Sequence, residues 1–261
     1  MTADVRLRVV ADDVGQSTAI DDGVLALARA GHLTAASVLV RAPGALRAMA
    51  ALDGIVELGV HVQLAPGDIA GADTDRVAAL ITAQVEAMIA AGHSPVHLDL
   101  HTAALYGLGE QAVRSGGVVA EAITVAAHYR LRFRLPRRAP AGLTAAQTAA
   151  HEQAVAAAAV AGVTLPEVLV TEVPDAAAVP AFLAGLPGLL RAGGTEGAIT
   201  SPQRTGDGYG LSPGPGPAVE PEVGEVELVT HPALRADPGD SLGRERVRQY
   251  TLLASGGLHH R

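Results

Sequence analysis

Short apolar runs alternate with stretches of helical periodicity along most of this chain. Residues 6–10 form one such run, broken by Ala11-Asp12-Asp13-Val14-Gly15, and read as a strand followed by a turn. Thr18 and Asp21 stand at capping-box spacing ahead of a helix that Gly31 would stop. Residues 33–40, rich in small and β-branched side chains, predict a second strand. Residues 57–64 predict a third, in which Val60, Val62 and Leu64 alternate with His61 and Gln63. Over residues 74–91, Val77, Leu80, Ile81, Val85, Met88 and Ile89 fall on one helical stripe that Gly92 ends. A strand at 96–101, helical material at 110–128, a strand at 130–135 and an alanine-rich helix at 143–161 follow. Further strands are expected at 167–171, 198–201 and 226–230. A last helix begins near residue 239, and its Arg244, Arg246 and Arg248 read as a solvated face.

Repeated strand–helix units without hairpin signals imply a parallel sheet covered by helices. Seven or eight strands in one chain favour a closed or nearly closed (β/α) barrel, expected as a single domain over residues 1–261. Residues 202–221 are heavy in Gly and Pro, carry Tyr209, and are too long for an ordinary connection, so they are either a functional lid or locally disordered.

Composition narrows the chemistry. Hydrophobic residues make up 49% of the chain, which marks it as globular. The formal charge of −8 argues against a nucleic-acid surface. There is no cysteine and no lysine, since all 19 basic residues are arginine, so disulfides, thiolate ligands, Schiff bases and a P-loop lysine are excluded. Neither a signal peptide nor an apolar stretch of spanning length is visible, and a soluble cytoplasmic protein is expected.

In a parallel barrel the chemistry sits at the carboxyl ends of the strands. Those ends carry Asp12-Asp13, His61, His101, Arg134 and His231. The segment Val96-His97-Leu98-Asp99-Leu100-His101 alternates strictly, so His97, Asp99 and His101 share one strand face. Three ionisable groups on one face need partners if they are buried. His97 and His101 lie roughly 13 Å apart along a strand at about 3.3 Å per residue, so one ion does not take both. His101 is then the rim residue, Asp99 a candidate support and His97 the deepest. Each residue alone also has a plainer explanation. Paired aspartates can cap a helix, and His61 can be a hydrogen-bonded core histidine. Arg134 can be structural, and His231 can be a strand-end residue without a role. His259 and His260, at the terminus, are discounted.

As an ordered set, Val10-Ala11-Asp12-Asp13-Val14-Gly15, Gly59-Val60-His61-Val62-Gln63-Leu64, His97-Leu98-Asp99-Leu100-His101, Arg134-Leu135-Pro136 and Thr230-His231-Pro232 resemble the YdjC family of carbohydrate deacetylases. That family includes chitooligosaccharide deacetylases and deacetylases of hopanoid biosynthesis. The resemblance covers nearly the whole chain. It implies a distorted barrel related to the polysaccharide deacetylases and one divalent ion, magnesium or zinc, on Asp13, His61 and His101. By the same resemblance Asp12 is the general base and His231 the general acid. The chain departs from the family pattern at Val10, Val14, Thr102-Ala103 and Ala233, none of which is in the ligand set.

The residues suit removal of an N-acetyl group, which needs an activated water, a polarised carbonyl and a proton for the amine. Arg134 is a candidate for oxyanion stabilisation or substrate anchoring. Stacking platforms for sugar rings are scarce, with no Trp, two Phe and four Tyr. Tyr106 and Tyr209 are the well-placed ones, so a small amino sugar, or an amide that is not a sugar, is as well supported as an oligosaccharide. The partner expected is thus a small molecule, with a homo-oligomer left open and no nucleic acid or membrane. Two other readings stand beside this one: a metal-dependent phosphoesterase, which would favour a second ion site, and a catalytically inactive relative that binds a ligand.

Overall fold

Seven parallel strands order themselves as β5-β4-β3-β2-β1-β7-β6 in a computed structural model that describes residues 4–108, 112, 116–191, 223–256 and 258. The strands are β1 (Asp4–Val14), β2 (Ala35–Val38), β3 (Glu57–Val62), β4 (His97–Leu100), β5 (Arg132–Phe133), β6 (Val168–Val170) and β7 (Val223–Thr230). The helices are α1 (Thr18–Arg29), α2 (Ala45–Leu52), α3 (Pro66–Ile69), α4 (Thr74–Ala90), α5 (Val119–Tyr129), α6 (Ala145–Val160), α7 (Val179–Arg191) and α8 (Gly243–Ala254). Every strand pair is parallel. The architecture is therefore the expected distorted α/β barrel, curled and incompletely closed. No ladder joins β5 to β6 among the described residues. Two backbone bonds bridge the gap instead, from Phe133 N to Thr164 O at 3.0 Å and from Arg137 N to Pro166 O at 2.9 Å.

Period-two alternation sorts the strand residues onto two unlike faces. Val9, Val38, Leu58, Val60, Leu98, Leu100, Phe133, Val226 and Leu228 join the apolar core under the helices. The alternate positions are Arg8, Asp12, Ser37, His61, His97, Asp99, Arg134 and Glu227, all buried. The barrel interior is thus filled by ions and hydrogen-bonding groups, where an ordinary barrel packs layers of branched aliphatic side chains.

Several expected boundaries shift. β1 runs on through Asp12-Asp13, because a register irregularity between Ala11 and Val14 absorbs the residues that read as a turn. Ser17 caps α1 by accepting from Ile20 N, and Asp21 instead accepts from Gly15 N at 2.7 Å and pairs with Arg47 at 2.7 Å. α5 begins at Val119, since Gly116 and Gly117 take left-handed φ just before it. β5 has two residues where six were expected. The strand expected at 198–201 and the Gly/Pro-rich 202–221 segment lie outside the described residues, as do His259 and His260.

Gly23 on α1 sets how closely that helix approaches the segment after β7. A Cβ there would sit 2.8 Å from Leu234 N and 3.1 Å from Ala233 Cα, and Leu234 N donates to Ala19 O nearby. Alanine is the better helix former by about 1 kcal/mol, yet overpacking against backbone costs about 1–3 kcal/mol. Gly23→Ala is therefore expected to lower the urea-unfolding free energy by about 1 kcal/mol. A gain in stability would show that this approach is looser than described.

Candidate metal centre

Neighbouring side chains in a strand normally point to opposite faces, yet Asp12 and Asp13 both turn inward. The irregularity in β1 and a left-handed φ of 62° at Asp13 make this possible. Non-glycine residues adopt this conformation at a cost, and it concentrates at functional sites. Asp13 O accepts from Gln16 N at 3.1 Å, which helps to hold the turn.

Three donor atoms meet at the rim. Asp13 Oδ1 lies 3.3 Å from His61 Nε2 and 3.2 Å from His101 Nδ1, and the two ring nitrogens are 3.1 Å apart. Donors held about 2.1 Å from one ion are spaced by about 3.0–3.4 Å, whether octahedral or tetrahedral. Asp13 Oδ1 is buried and makes no hydrogen bond. Burial opposes charge on Asp13, but His101 and His61 outweigh it and hold its carboxyl well below the usual carboxylate range. Burial also opposes charge on His61, but the Asp99 and Asp12 carboxylates overcome it and push the ring up to about 10. A site that draws a proton this strongly between converging acceptors fits a cation. The residues present therefore suit a divalent ion of the kind imidazole and carboxylate donors hold.

Asp12, His61 and Asp99 also cluster, but their donor atoms are already engaged. Arg134 bonds both Asp12 oxygens at 2.6 and 3.0 Å, and its Nε donates to Glu227. Asp99 Oδ1 accepts from His61 Nδ1, while Asp99 Oδ2 takes Ser37 Oγ at 2.6 Å and Arg134 Nη2 at 3.2 Å. This second group forms an ion network with Arg134 and Ser37.

The helix that reads as a solvated arginine face supplies two buried contacts instead. Arg246 on α8 is 3% exposed, and its Nη2 donates to Asp13 Oδ2 at 2.7 Å. With Arg246 on Oδ2, Asp13 offers only Oδ1 to the centre. One turn on, Gln249 Oε1 accepts from His231 N at 2.6 Å. Burial lowers the His231 ring below the ordinary imidazole value, although Asp12 and Asp13 pull it upward.

The structure thus brings Asp12, Asp13, His61, His101 and His231 together and places the other expected residues beneath them. Arg134 is 5% exposed, and its guanidinium is engaged by Asp12, Asp99 and Glu227. His97 and Asp99 are buried in the interior. Tyr106 accepts from Leu100 N and donates to Arg134 O, and its ring stacks on Phe133 at 6.2 Å. The ring also borders an apolar cavity of about 470 Å³ lined by Val119, Leu135 and His151, with none of the rim residues in its wall. Tyr209 lies outside the described residues. Sequence reasoning missed Arg8, Ser37, Glu227, Arg246 and Gln249. For Arg8 and Glu227 the signal was present as charges at inward strand positions. For Arg246 there was none, because 233 residues separate it from Asp13.

Fold and site together define a distorted (β/α) barrel with a buried Asp-His-His group at its carboxyl rim that could hold a metal ion. The model of the YdjC-like protein family matches residues 6–260, and the chain belongs to that family. No curated protein matches the sequence. Among solved structures, one described as a cellobiose-phosphate cleavage protein from Enterococcus faecalis is 18% identical, with a TM-score of 0.64 over 98% of this chain and 92% of that one. A lactam utilization protein from Thermus thermophilus is 16% identical, with a TM-score of 0.50 over 98% of this chain and 99% of that one. At these identities the two likenesses establish the fold.

The interior network makes stability depend on acid. Burial, reinforced by Arg8 and Arg134, holds His97 down to about 3 despite the pull of Asp99. An unfolded histidine titrates near about 6.5. Below that value the unfolded chain binds a proton that the folded ring refuses, so stability falls as pH drops, by up to about 1.4 kcal/mol per pH unit. Between about pH 7 and about pH 5, His97→Gln is expected to lose about 2 kcal/mol less unfolding free energy than the parent chain. Equal losses in urea titrations would mean that the ring is not held neutral.

Proposed function

We propose that this protein is a metal-dependent hydrolase that removes the N-acetyl group from a small amino sugar or related N-acetylated glycan. The observation that carries the reading is the convergence of Asp13 Oδ1, His61 Nε2 and His101 Nδ1 beside a separately held carboxylate, Asp12. Membership of the YdjC-like family supports it. Asp13, His61 and His101 would hold one divalent ion, which when bound supplies Lewis-acid polarisation and lowers the pKa of water. Asp12 accepts the proton of the attacking water. Its two bonds to Arg134 hold the carboxylate in place, so Arg134 acts through Asp12. His231 passes a proton to the departing amine nitrogen; burial, which lowers its ring, makes the protonated form a stronger acid, and the Gln249 contact fixes its backbone. General acid–base help of this kind contributes about 10²–10⁴ in rate.

The two aspartates separate the roles. Asp12→Asn keeps the shape but cannot take the proton, so bound metal persists while kcat for acetate release falls by about 10²-fold or more. Asp13→Asn removes a charged ligand, so metal affinity drops and activity partly returns with excess metal. The reverse pattern, measured by metal analysis and acetate release, would exchange the two assignments. A protein that binds metal yet releases no acetate from any N-acetyl sugar would instead be the inactive, ligand-binding relative.

Residues 202–221 lie outside the described residues, and their role as a lid is a proposal from length and composition. Deleting residues 206–216 is expected to raise KM or lower kcat without changing the far-ultraviolet circular dichroism. Unchanged kinetics would reduce the segment to a connection.

A further inference from the structure

We infer that Ser37 and His97 are positioning residues, forming a hydrogen-bond relay that runs from Arg8 through the barrel interior and fixes the metal-binding tautomer of His61. The inference rests on the proposed ion site but concerns residues that lie below it.

The direction of every proton follows from one end. An arginine guanidinium has only donors, and Arg8 Nη2 lies 3.2 Å from His97 Nδ1. Nδ1 must therefore carry the lone pair. In a neutral ring the proton is then on Nε2, which lies 2.8 Å from Ser37 Oγ. Ser37 Oγ also lies 3.3 Å from Arg134 Nη2, another obligate donor. Both hydroxyl lone pairs are thus in use, and the Ser37 proton has one place left to go, Asp99 Oδ2 at 2.6 Å. Asp99 Oδ2 also faces the Arg134 guanidinium at 3.2 Å, so this oxygen is met by donors only. Asp99 Oδ1 in turn accepts from His61 Nδ1, so Nε2 is the ring nitrogen left for an ion once its proton is given up.

The backbone is shaped to permit this line. Ser37, Gly59 and His97 are lateral neighbours in register on β2, β3 and β4, with Gly59 between the other two. The His97 ring crosses the space a side chain at Gly59 would fill. A Cβ built there would lie 2.2 Å from His97 Nε2 and 2.3 Å from Cδ2 and Cε1. Gly59 has an ordinary φ, so a glycine is needed here for clearance and not for backbone conformation. None of these contacts is required to fill the core, since an aliphatic layer would do so more cheaply.

Two measurements test the relay. The first reads the tautomers directly by ¹⁵N NMR of histidine-labelled, metal-free protein at neutral pH. A neutral His97 protonated on Nε2 is expected, and Nδ1–H or a doubly protonated ring would overturn the inference. The second is calorimetric Zn²⁺ affinity of the full chain. Ser37→Ala, His97→Leu and Gly59→Ala are each expected to weaken binding by about 10–100-fold. His97→Gln, whose amide can accept from Arg8 and donate to Ser37, should recover affinity to within a few-fold of the parent. Unchanged affinity in Ser37→Ala would sink the relay, as would equal losses in His97→Leu and His97→Gln. Should His97→Leu or Gly59→Ala fail to fold, the tautomer measurement and the Ser37→Ala isotherm still decide it. If the parent chain binds no Zn²⁺ while the tautomers are as expected, the ion site is wrong and the proton order stands.

Discussion

Charge neutrality inside the barrel is the constraint on which everything else depends. The guanidinium of Arg134 sits 5% exposed among Asp12, Asp99 and Glu227, and none of the four could be buried alone. Removing one partner of such a set typically costs about 3–5 kcal/mol because it strands the others. Deeper down, Arg8 is shared between Glu57 and Glu227, and Arg132 pairs with Glu225. These pairs form a ladder of alternating sign up the inside of the sheet. Its top step is the rim, where the donor atoms of Asp13, His61 and His101 converge.

Much of this was legible because strand periodicity is strict. His97, Asp99 and His101 alternate with Leu98 and Leu100, and that alone places three ionisable groups inside and two leucines under the helices. The carboxyl-end rule then collects Asp12, His61, Arg134 and His231 from four other strands. The boundaries of β1 were not legible, because nothing in Ala11-Asp12-Asp13-Val14 distinguishes a bulge that extends a strand from a turn that ends it. α8 misled for a different reason. Arginines on a terminal helix are usually solvated, and only the tertiary fold reveals that Arg246 reaches a carboxylate on β1. For Arg134 the strand end gives its height in the barrel but not the partner of its guanidinium. A strand-end arginine gives no clue to whether its fork faces substrate or the aspartate beside it.

The interior network and the rim divide the work between rigidity and access. Side chains under the site are locked by two or three contacts each, as Ser37 Oγ and Asp99 illustrate. His101, in contrast, is a quarter exposed, so one ligand of the triad faces solvent while its fellows do not. Ligands held by a supporting shell keep their geometry when one position opens, as exchange of water and substrate requires.

The left-handed backbone at Asp13 has an evolutionary consequence. Folding stability alone would favour glycine at this position, since glycine adopts that conformation freely and brings no charge to bury. Selection for stability and selection for the carboxylate therefore pull position 13 in opposite directions. A lineage released from the need for an ion would be expected to lose this aspartate early, while the ladder beneath it, which is bound up with folding, would persist. Within the family, a barrel that keeps its interior arginines and glutamates but carries glycine at this bulge would be the signature of a fold that has outlived its chemistry.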